Sequence, residues 1–323
     1  MTQVIADRQL VSVETIESID EIPGADMIVA AKIKGWTVVV KRNEFRVGDS
    51  CVYFEIDSML PVGDDRFAFL AQRGTKEVDG KKYHKLSTAR LRGVYSQGLA
   101  LPVDGFDTSD LDSLGIFKYE PPALTGKGDL IATYPDHLAS RTRAERVQNV
   151  ASTWDEVLAS GPWIGSEKVD GTSMSVFRTD DGELLVCGHN YQIREGDNIY
   201  WRAVEKYNLG DTLAPGMGLQ CELYGPGIQG NSLGVKEQQV AVFAVIIDHS
   251  PIARADWPSE LLALASPVYE LELPATAALA LAQVDGIKSL IAPERNAEGI
   301  VWHNAAGETV KAISNKYLVK HDG

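Results

Sequence analysis

Trp163-Ile164-Gly165-Ser166-Glu167-Lys168-Val169-Asp170-Gly171-Thr172-Ser173 is the stretch that decides how this chain is read. A strand-like run ends at Lys168, and Asp170-Gly171 turns the backbone just beyond it. One amine is thereby projected at a strand end, and Gly171 lets the backbone pass close beside a ligand. A lysine is a nucleophile only as the neutral amine. Its pKa must then fall from about 10.4 toward neutrality, through desolvation or nearby positive charge. Taken alone, K-x-D-G is equally a surface turn. Here four companions follow in order: Glu222-Leu223-Tyr224-Gly225, Val242-Phe243-Ala244-Val245, Glu298-Gly299-Ile300-Val301 and Val310-Lys311-Ala312-Ile313. An ordered set of this kind points to one site rather than to scattered turns.

The companions supply what lysine attack on an α-phosphate needs. That reaction builds negative charge and expels pyrophosphate, so it requires cations and in-line positioning. Asp170, Glu222 and Glu298 are three carboxylates suited to magnesium or manganese, directly or through its waters. Lys311 and Lys316 are candidates for the phosphates, with Lys316 equally readable as a solvated surface lysine. Phe243 is either a ring for stacking on adenine or a core strand residue. Glu222 stands at a strand end before the glycine-rich turn Gly225-Pro226-Gly227. Asn190, at the end of another strand, either bonds a ribose hydroxyl or serves a turn.

The 323 residues suit two domains, and 44 % hydrophobic with 24 % charged residues is the composition of an ordinary globular protein. No run approaches the ~20 apolar residues needed to cross a bilayer. The start, Met1-Thr2-Gln3-Val4-Ile5-Ala6-Asp7-Arg8, has no basic and apolar signal pattern. Cys51, Cys187 and Cys221 are odd in number and far apart, which argues against a zinc site or a disulfide framework and suits a reducing cytoplasm. A net charge of −14 argues against indiscriminate binding to nucleic acid, yet leaves room for a local basic groove.

The first part of the chain reads as short strands broken by turns: Val11–Ile16, Gly35–Val40, Cys51–Ile56 and Ser96–Leu101. That pattern predicts a small barrel. Ile22-Pro23-Gly24-Ala25-Asp26-Met27-Ile28, Gly35-Trp36, Phe45-Arg46-Val47-Gly48-Asp49 and Arg90-Leu91-Arg92-Gly93 resemble the OB-fold modules of RNA-binding proteins. Arg90 and Arg92 either meet a phosphate backbone or protect an edge strand. Asp, Ser, Gly and Pro accumulate between Phe106 and Pro122, which divides the chain into an OB module, residues 1–118, and a second domain, residues 119–323. Periodicity predicts helix over His137–Val150, Trp154–Leu158, Ser259–Leu264 and Ala275–Val284.

The ordered motifs resemble the covalent nucleotidyltransferase superfamily of polynucleotide ligases and capping enzymes. Within it the chain is similar to ATP-dependent RNA ligases that carry an N-terminal OB module. Thr142-Arg143-Ala144-Glu145-Arg146-Val147-Gln148-Asn149 and Val310-Lys311-Ala312-Ile313-Ser314-Asn315-Lys316-Tyr317-Leu318 extend the likeness to almost the whole chain. The resemblance implies an α+β protein, an OB-like β-barrel followed by a nucleotidyltransferase domain of antiparallel sheets and helices. Tyr317-Leu318 stands close to the last residue, so no OB domain is expected after the catalytic one.

The resemblance also implies lysyl-AMP and RNA-adenylate chemistry that joins 3′-hydroxyl and 5′-phosphate RNA ends, in a nicked duplex or a break. ATP and magnesium or manganese are the implied cofactors, and no membrane or obligatory protein partner is implied. Lys168 is the implied nucleophile, Asp170, Glu222 and Glu298 hold the metal's waters, and Lys311 holds the α-phosphate. Glu167, Arg146, Asn190, Phe243 and Lys316 complete the implied nucleotide site. His189 stands where such ligases often carry arginine. A non-catalytic RNA-binding protein and a DNA-type ligase are the alternatives. The intact Lys168, Glu222, Glu298 and Lys311 argue against the first, and the N-terminal OB position argues against the second.

Overall fold

The structure, a computed structural model, describes residues 9–121, 124–141 and 144–321. The segments Met1–Arg8 and Thr142-Arg143, on which part of the sequence reading rests, lie outside those residues. Two compact units are present. One runs to Pro121 and takes in Gln148–Ser152 and the residues from Leu318; the other holds the remainder.

In the first unit, Val11–Thr15 pairs with Ser50–Phe54, which pairs in turn with Leu99–Pro102, all antiparallel. Ser18–Glu21, Ile28–Ile33 and Trp36–Lys41 form a second antiparallel sheet. Ile16 is fully buried and carries the chain from one sheet to the other. Its N–H donates to the Asp49 carbonyl at 2.9 Å, and the Glu17 N–H donates to Lys32 at 2.8 Å. Bonds from the Gln97 N–H to the Thr37 carbonyl, 2.8 Å, and from the Val39 N–H to Ser96 Oγ, 2.9 Å, join the sheets again on the far side. The strands thus curl into the expected OB barrel. Period-two alternation sends Trp36, Val38 and Val40 inward. A further four-stranded sheet is added to the barrel, in the order Phe117–Lys118, Ser58–Pro61, Lys81–Lys85, Lys76–Val78.

Segment 148–152 is held by this unit. The fully buried Trp36 donates its indole N–H to Asn149 Oδ1 at 2.7 Å. Gly35 has no room for a side chain, because a Cβ there would stand 2.6 Å from the Gln148 carbonyl oxygen.

The second unit holds a seven-stranded antiparallel sheet in the order Leu130–Thr133, Tyr191–Ile193, Leu184–Cys187, Thr172–Arg178, Met217–Tyr224, Gln239–Ile247, Ser250–Pro251. Its core packs Met174, Val176, Leu219 and Val242 against Tyr200 and Val204 of the helix Ile199–Lys206 and against Leu261. Asn198 caps that helix, accepting from the Tyr200 and Trp201 N–H groups at 3.2 and 3.1 Å. A smaller sheet runs Glu145–Arg146, Thr309–Ile313, Gly299–Asn304, Trp163–Lys168, with its first pair parallel.

Helices occur at Trp154–Ala159, Ser259–Leu262 and Ala277–Val284, close to the expected positions. The expected helix over His137–Val150 is absent from the described residues of that segment. Tertiary contacts outweigh its periodicity. Arg141 is drawn to Asp136 at 3.1 Å and to Asn190 at 3.2 Å. The Ser140 carbonyl accepts from Gln220 at 2.9 Å, and Glu145–Arg146 is taken up as a strand.

Trp36→Phe removes the indole donor and part of a filled core. It should lower the stability of the first unit by about 1–3 kcal/mol, read as a lower midpoint in urea, and an unchanged midpoint would contradict this account.

Candidate active site

Register and two glycines build the site. Lys168 is the last residue of its strand and pairs with Gly299, so Glu298 stands beside it. The Lys168 ammonium meets both Glu298 carboxylate oxygens at 2.8 Å. Glu222 lies on Met217–Tyr224 opposite Ser173, just past the Asp170-Gly171 turn. At Gly171 a Cβ would stand 2.4 Å from the Leu223 carbonyl and 2.9 Å from Glu222 Cγ. At Gly299 it would stand 2.0 Å from the Ala312 carbonyl. The space at Gly171 therefore admits the neighbouring strand, where the sequence suggested room for a ligand.

Electrostatics tie these groups together. Burial alone would depress the Lys168 pKa, but Glu298, Glu222 and Asp170 reverse that, and it lies above the usual lysine value. Glu222 is pushed up to about 8, chiefly by burial, with Glu298 and Asp170 adding repulsion and Lys168 opposing. Burial also raises Glu298. The site thus holds a protonated lysine among carboxyl groups, the reverse of the depressed lysine that attack requires.

A cavity of about 210 Å³ opens beside Lys168, walled by Phe243, Val301, His189, His303, Glu222 and Lys311. The structure therefore brings together Lys168, Glu222, Phe243 and Lys311 on one cavity, with Glu298 and Asp170 acting on the same ammonium.

Three expected nucleotide-site residues lie off the cavity wall, and a fourth, Glu167, lines the cavity while its carboxylate points elsewhere. Strand alternation turns the Glu167 side chain away from the face that Lys168 and Ser166 present. Its buried carboxylate accepts from Ser289 Oγ at 2.5 Å and from the Leu290 N–H at 2.7 Å, so it fastens that loop to the strand. Asn190 accepts from Arg141 at 3.2 Å, and His189 beside it lines the cavity instead. Arg146 is buried on the strand opposite Lys311 and is not part of the cavity wall. Lys316 lies 3.6 Å from Asp285 with its side chain 57 % exposed, and it too is off the wall.

Three further residues belong to the site. Ser166 Oγ lies 2.8 Å from His303 Nε2. Burial, helped by Arg254, lowers the His303 pKa to about 4, so the ring is neutral. Tyr317 stands by Asp170 and Glu298, its pKa pushed up mainly by burial. Counting in twos back from Lys168 and on from Gly299 marks Ser166 and His303 in the sequence. Nothing local marks Tyr317.

Among the described residues, no three His, Cys, Asp or Glu side chains form a ready-made metal cage. The donor set nonetheless fits a hydrated divalent cation, because three carboxylates act on one point and magnesium keeps most of its waters.

Lys168→Met leaves the buried carboxylates without their ammonium. It should cost about 3–5 kcal/mol near neutral pH. The loss should shrink in acid, where carboxylates with raised pKa values are protonated and no longer repel. Thermal unfolding at the two pH values checks this, and equal losses at both would refute it.

An OB-fold domain model matches residues 10–103, and an RNA ligase model matches residues 161–320. A Naegleria gruberi RNA ligase variant solved with ATP and manganese is 34% identical, with a TM-score of 0.87, over 97% of this chain and 99% of that one. A variant of the same ligase with AMP and manganese gives 34% identity and 0.87 over 98% and 99%. The ligase with pyrophosphate gives 34% and 0.86 over 98% and 99%. A search of curated protein sequences returned no match. No described helix is long and apolar enough to cross a membrane. With motifs, geometry and both domain models in agreement, this chain belongs to the ATP-dependent RNA ligases that carry an N-terminal OB module.

Proposed function

We propose that the chain seals RNA, in nicked duplexes or at breaks, by joining a 3′-hydroxyl to a 5′-phosphate with ATP and magnesium or manganese. The observation that carries this reading is the Lys168 amine, 2.8 Å from Glu298, on a cavity that also holds Phe243 and Lys311. Complexes of the Naegleria relative with ATP, AMP and pyrophosphate support the same ligands here.

The neutral Lys168 nitrogen attacks the α-phosphorus. A nitrogen–phosphorus bond forms, the bond to the bridging oxygen breaks, and pyrophosphate leaves. A 5′-phosphate oxygen of the RNA then attacks the same phosphorus and frees Lys168. Finally the 3′-hydroxyl attacks the 5′-phosphate, closing the phosphodiester and releasing AMP. Phe243 packs on the adenine, and Lys311 balances charge on the α-phosphate. Asp170, Glu222 and Glu298 would hold the hydrated metal. Bound there, a divalent cation offsets the carboxylates' hold on the ammonium proton and neutralises phosphate charge.

Residues 1–118 serve the RNA and residues 119–323 the chemistry. Three buried free cysteines suit a cytoplasmic setting.

With α-labelled ATP, the denatured protein should carry label that Lys168→Ala abolishes. Unlabelled, unmodified protein in the presence of metal would sink the reading. The initial rate of labelling should rise with pH. Lys168, held above the usual lysine value, loses its proton more readily as pH rises, and Glu222, pushed up to about 8 by burial, ionises over the same range. A rate that falls across that range would overturn this assignment.

A further inference from the structure

The chain is acidic, yet its cations are not evenly spread. Residues 73–92 hold seven lysines and arginines against two carboxylates, within a protein of net charge −14. Arg73, Lys81, Lys82, Arg90 and Arg92 are exposed, and among the described residues none of them is ion-paired.

The added four-stranded sheet arranges part of this run. Lys76 pairs with Tyr83, Val78 with Lys81, and Met59 with both Lys85 and Phe117. Paired residues share a face, and alternation puts Lys81, Tyr83 and Lys85 on it together. Tyr83 packs edge-on against Phe117, ring centroids 5.0 Å apart. The Lys76 and Lys85 ammonium groups lie 4.6 and 5.2 Å from the centre of the Tyr119 ring. At Lys76 the aromatic ring positions the cation without cancelling its charge, as a carboxylate would.

The barrel's own strands offer a poorer surface for a polyanion. OB folds commonly bind nucleic acid over the second and third strands, here Ile28–Ile33 and Trp36–Lys41. Residues 14–49 carry seven carboxylates against five cations. Arg42 is bound to Glu21 at 2.5 Å, Lys34 to Glu14 at 3.2 Å, and Lys32 is bonded to Thr37 at 2.6 Å.

Building on the RNA-sealing reading, we propose that the added sheet, through Lys76 and Lys81 around Tyr83 and Tyr119, is the surface that seats the RNA phosphate backbone, in place of the usual OB strand face. Charge complementarity selects the partner: a repeating anion meets a surplus of cations, and affinity comes from the counterions it releases.

The test is binding of a labelled nicked RNA duplex over a salt series, with labelling of Lys168 by ATP as the measure of intact fold and chemistry. Lys81→Glu alters one exposed side chain and should weaken RNA binding by roughly tenfold or more at low salt. Lys76→Ala with Lys81→Ala should reduce the salt slope by roughly 0.7 to 0.9 for each phosphate no longer neutralised. Labelling by ATP should persist in both. Lys32→Ala with Arg46→Ala, on the usual OB strands and the loop that follows them, should bind nearly as the unaltered protein does.

Unaltered RNA binding by Lys81→Glu overturns the proposal, as does a larger loss from Lys32→Ala with Arg46→Ala. The first of these outcomes would leave the basic face for an acidic protein. Failure of the unaltered protein to bind RNA at all would overturn the sealing reading as well, and it is told apart by appearing before any substitution is made.

Discussion

Three carboxyl groups, Asp170, Glu222 and Glu298, meet around the Lys168 ammonium, and its contact with Glu298 at 2.8 Å is the bond on which the site depends. Asp170, Glu222 and Glu298 repel one another, and Lys168 is the cation that opposes them. The same contact keeps the proposed nucleophile unreactive, because a lysine held among carboxylates retains its proton. A site built this way couples reactivity to occupancy. Whatever positive charge arrives with the nucleotide competes for the carboxylates and loosens the proton at the moment a phosphate is present to be attacked. Burial, which by itself would depress the lysine, supplies the other half of that balance.

Backbone geometry makes the cluster possible. Lys168 and Glu298 come from paired strands, and Glu222 comes from the neighbouring sheet. The two sheets meet at Asp170-Gly171, where any side chain in place of the glycine would strike the Leu223 carbonyl. Gly299 performs the same service between Glu298 and Ala312. The glycines that follow two of the three carboxylates are thus matters of strand packing, and both are near the chemistry because the carboxylates must converge. Glu167 contributes from the far side of the strand. Its bonds to Ser289 and Leu290 fix the strand that ends in Lys168.

Much of this was legible in the sequence, for a physical reason. Lys168, Asp170, Glu222, Glu298 and Lys311 sit in short motifs at strand ends, where local pattern and chemistry coincide. The barrel strands were legible because β-branched runs alternate cleanly between turns. What failed was whatever depends on direction or on distant partners. Glu167 lines the cavity beside Lys168 as its motif suggests, yet alternation turns its carboxylate to the other face. Asn190 and His189 are neighbours, and sequence alone did not tell which one faces the cavity. The helical period in His137–Val150 was real but weak beside the pull of Asp136, Asn190 and Gln220 on that segment.

Charge shows the same distinction between sum and arrangement. A net charge of −14 describes how the protein repels a polyanion from afar, beyond the ~10 Å over which salt leaves fields unscreened. Within that distance only the local surface counts. The acidic residues of the first unit lie largely outside residues 73–92, and several of them are spent on Arg42, Lys34 and Arg66. A surplus of cations on one sheet, in a chain that otherwise repels nucleic acid, favours a bound strand in one place over loose adhesion anywhere. For an RNA ligase, that restriction is itself useful. A uniformly basic protein would hold RNA more tightly and in more wrong positions.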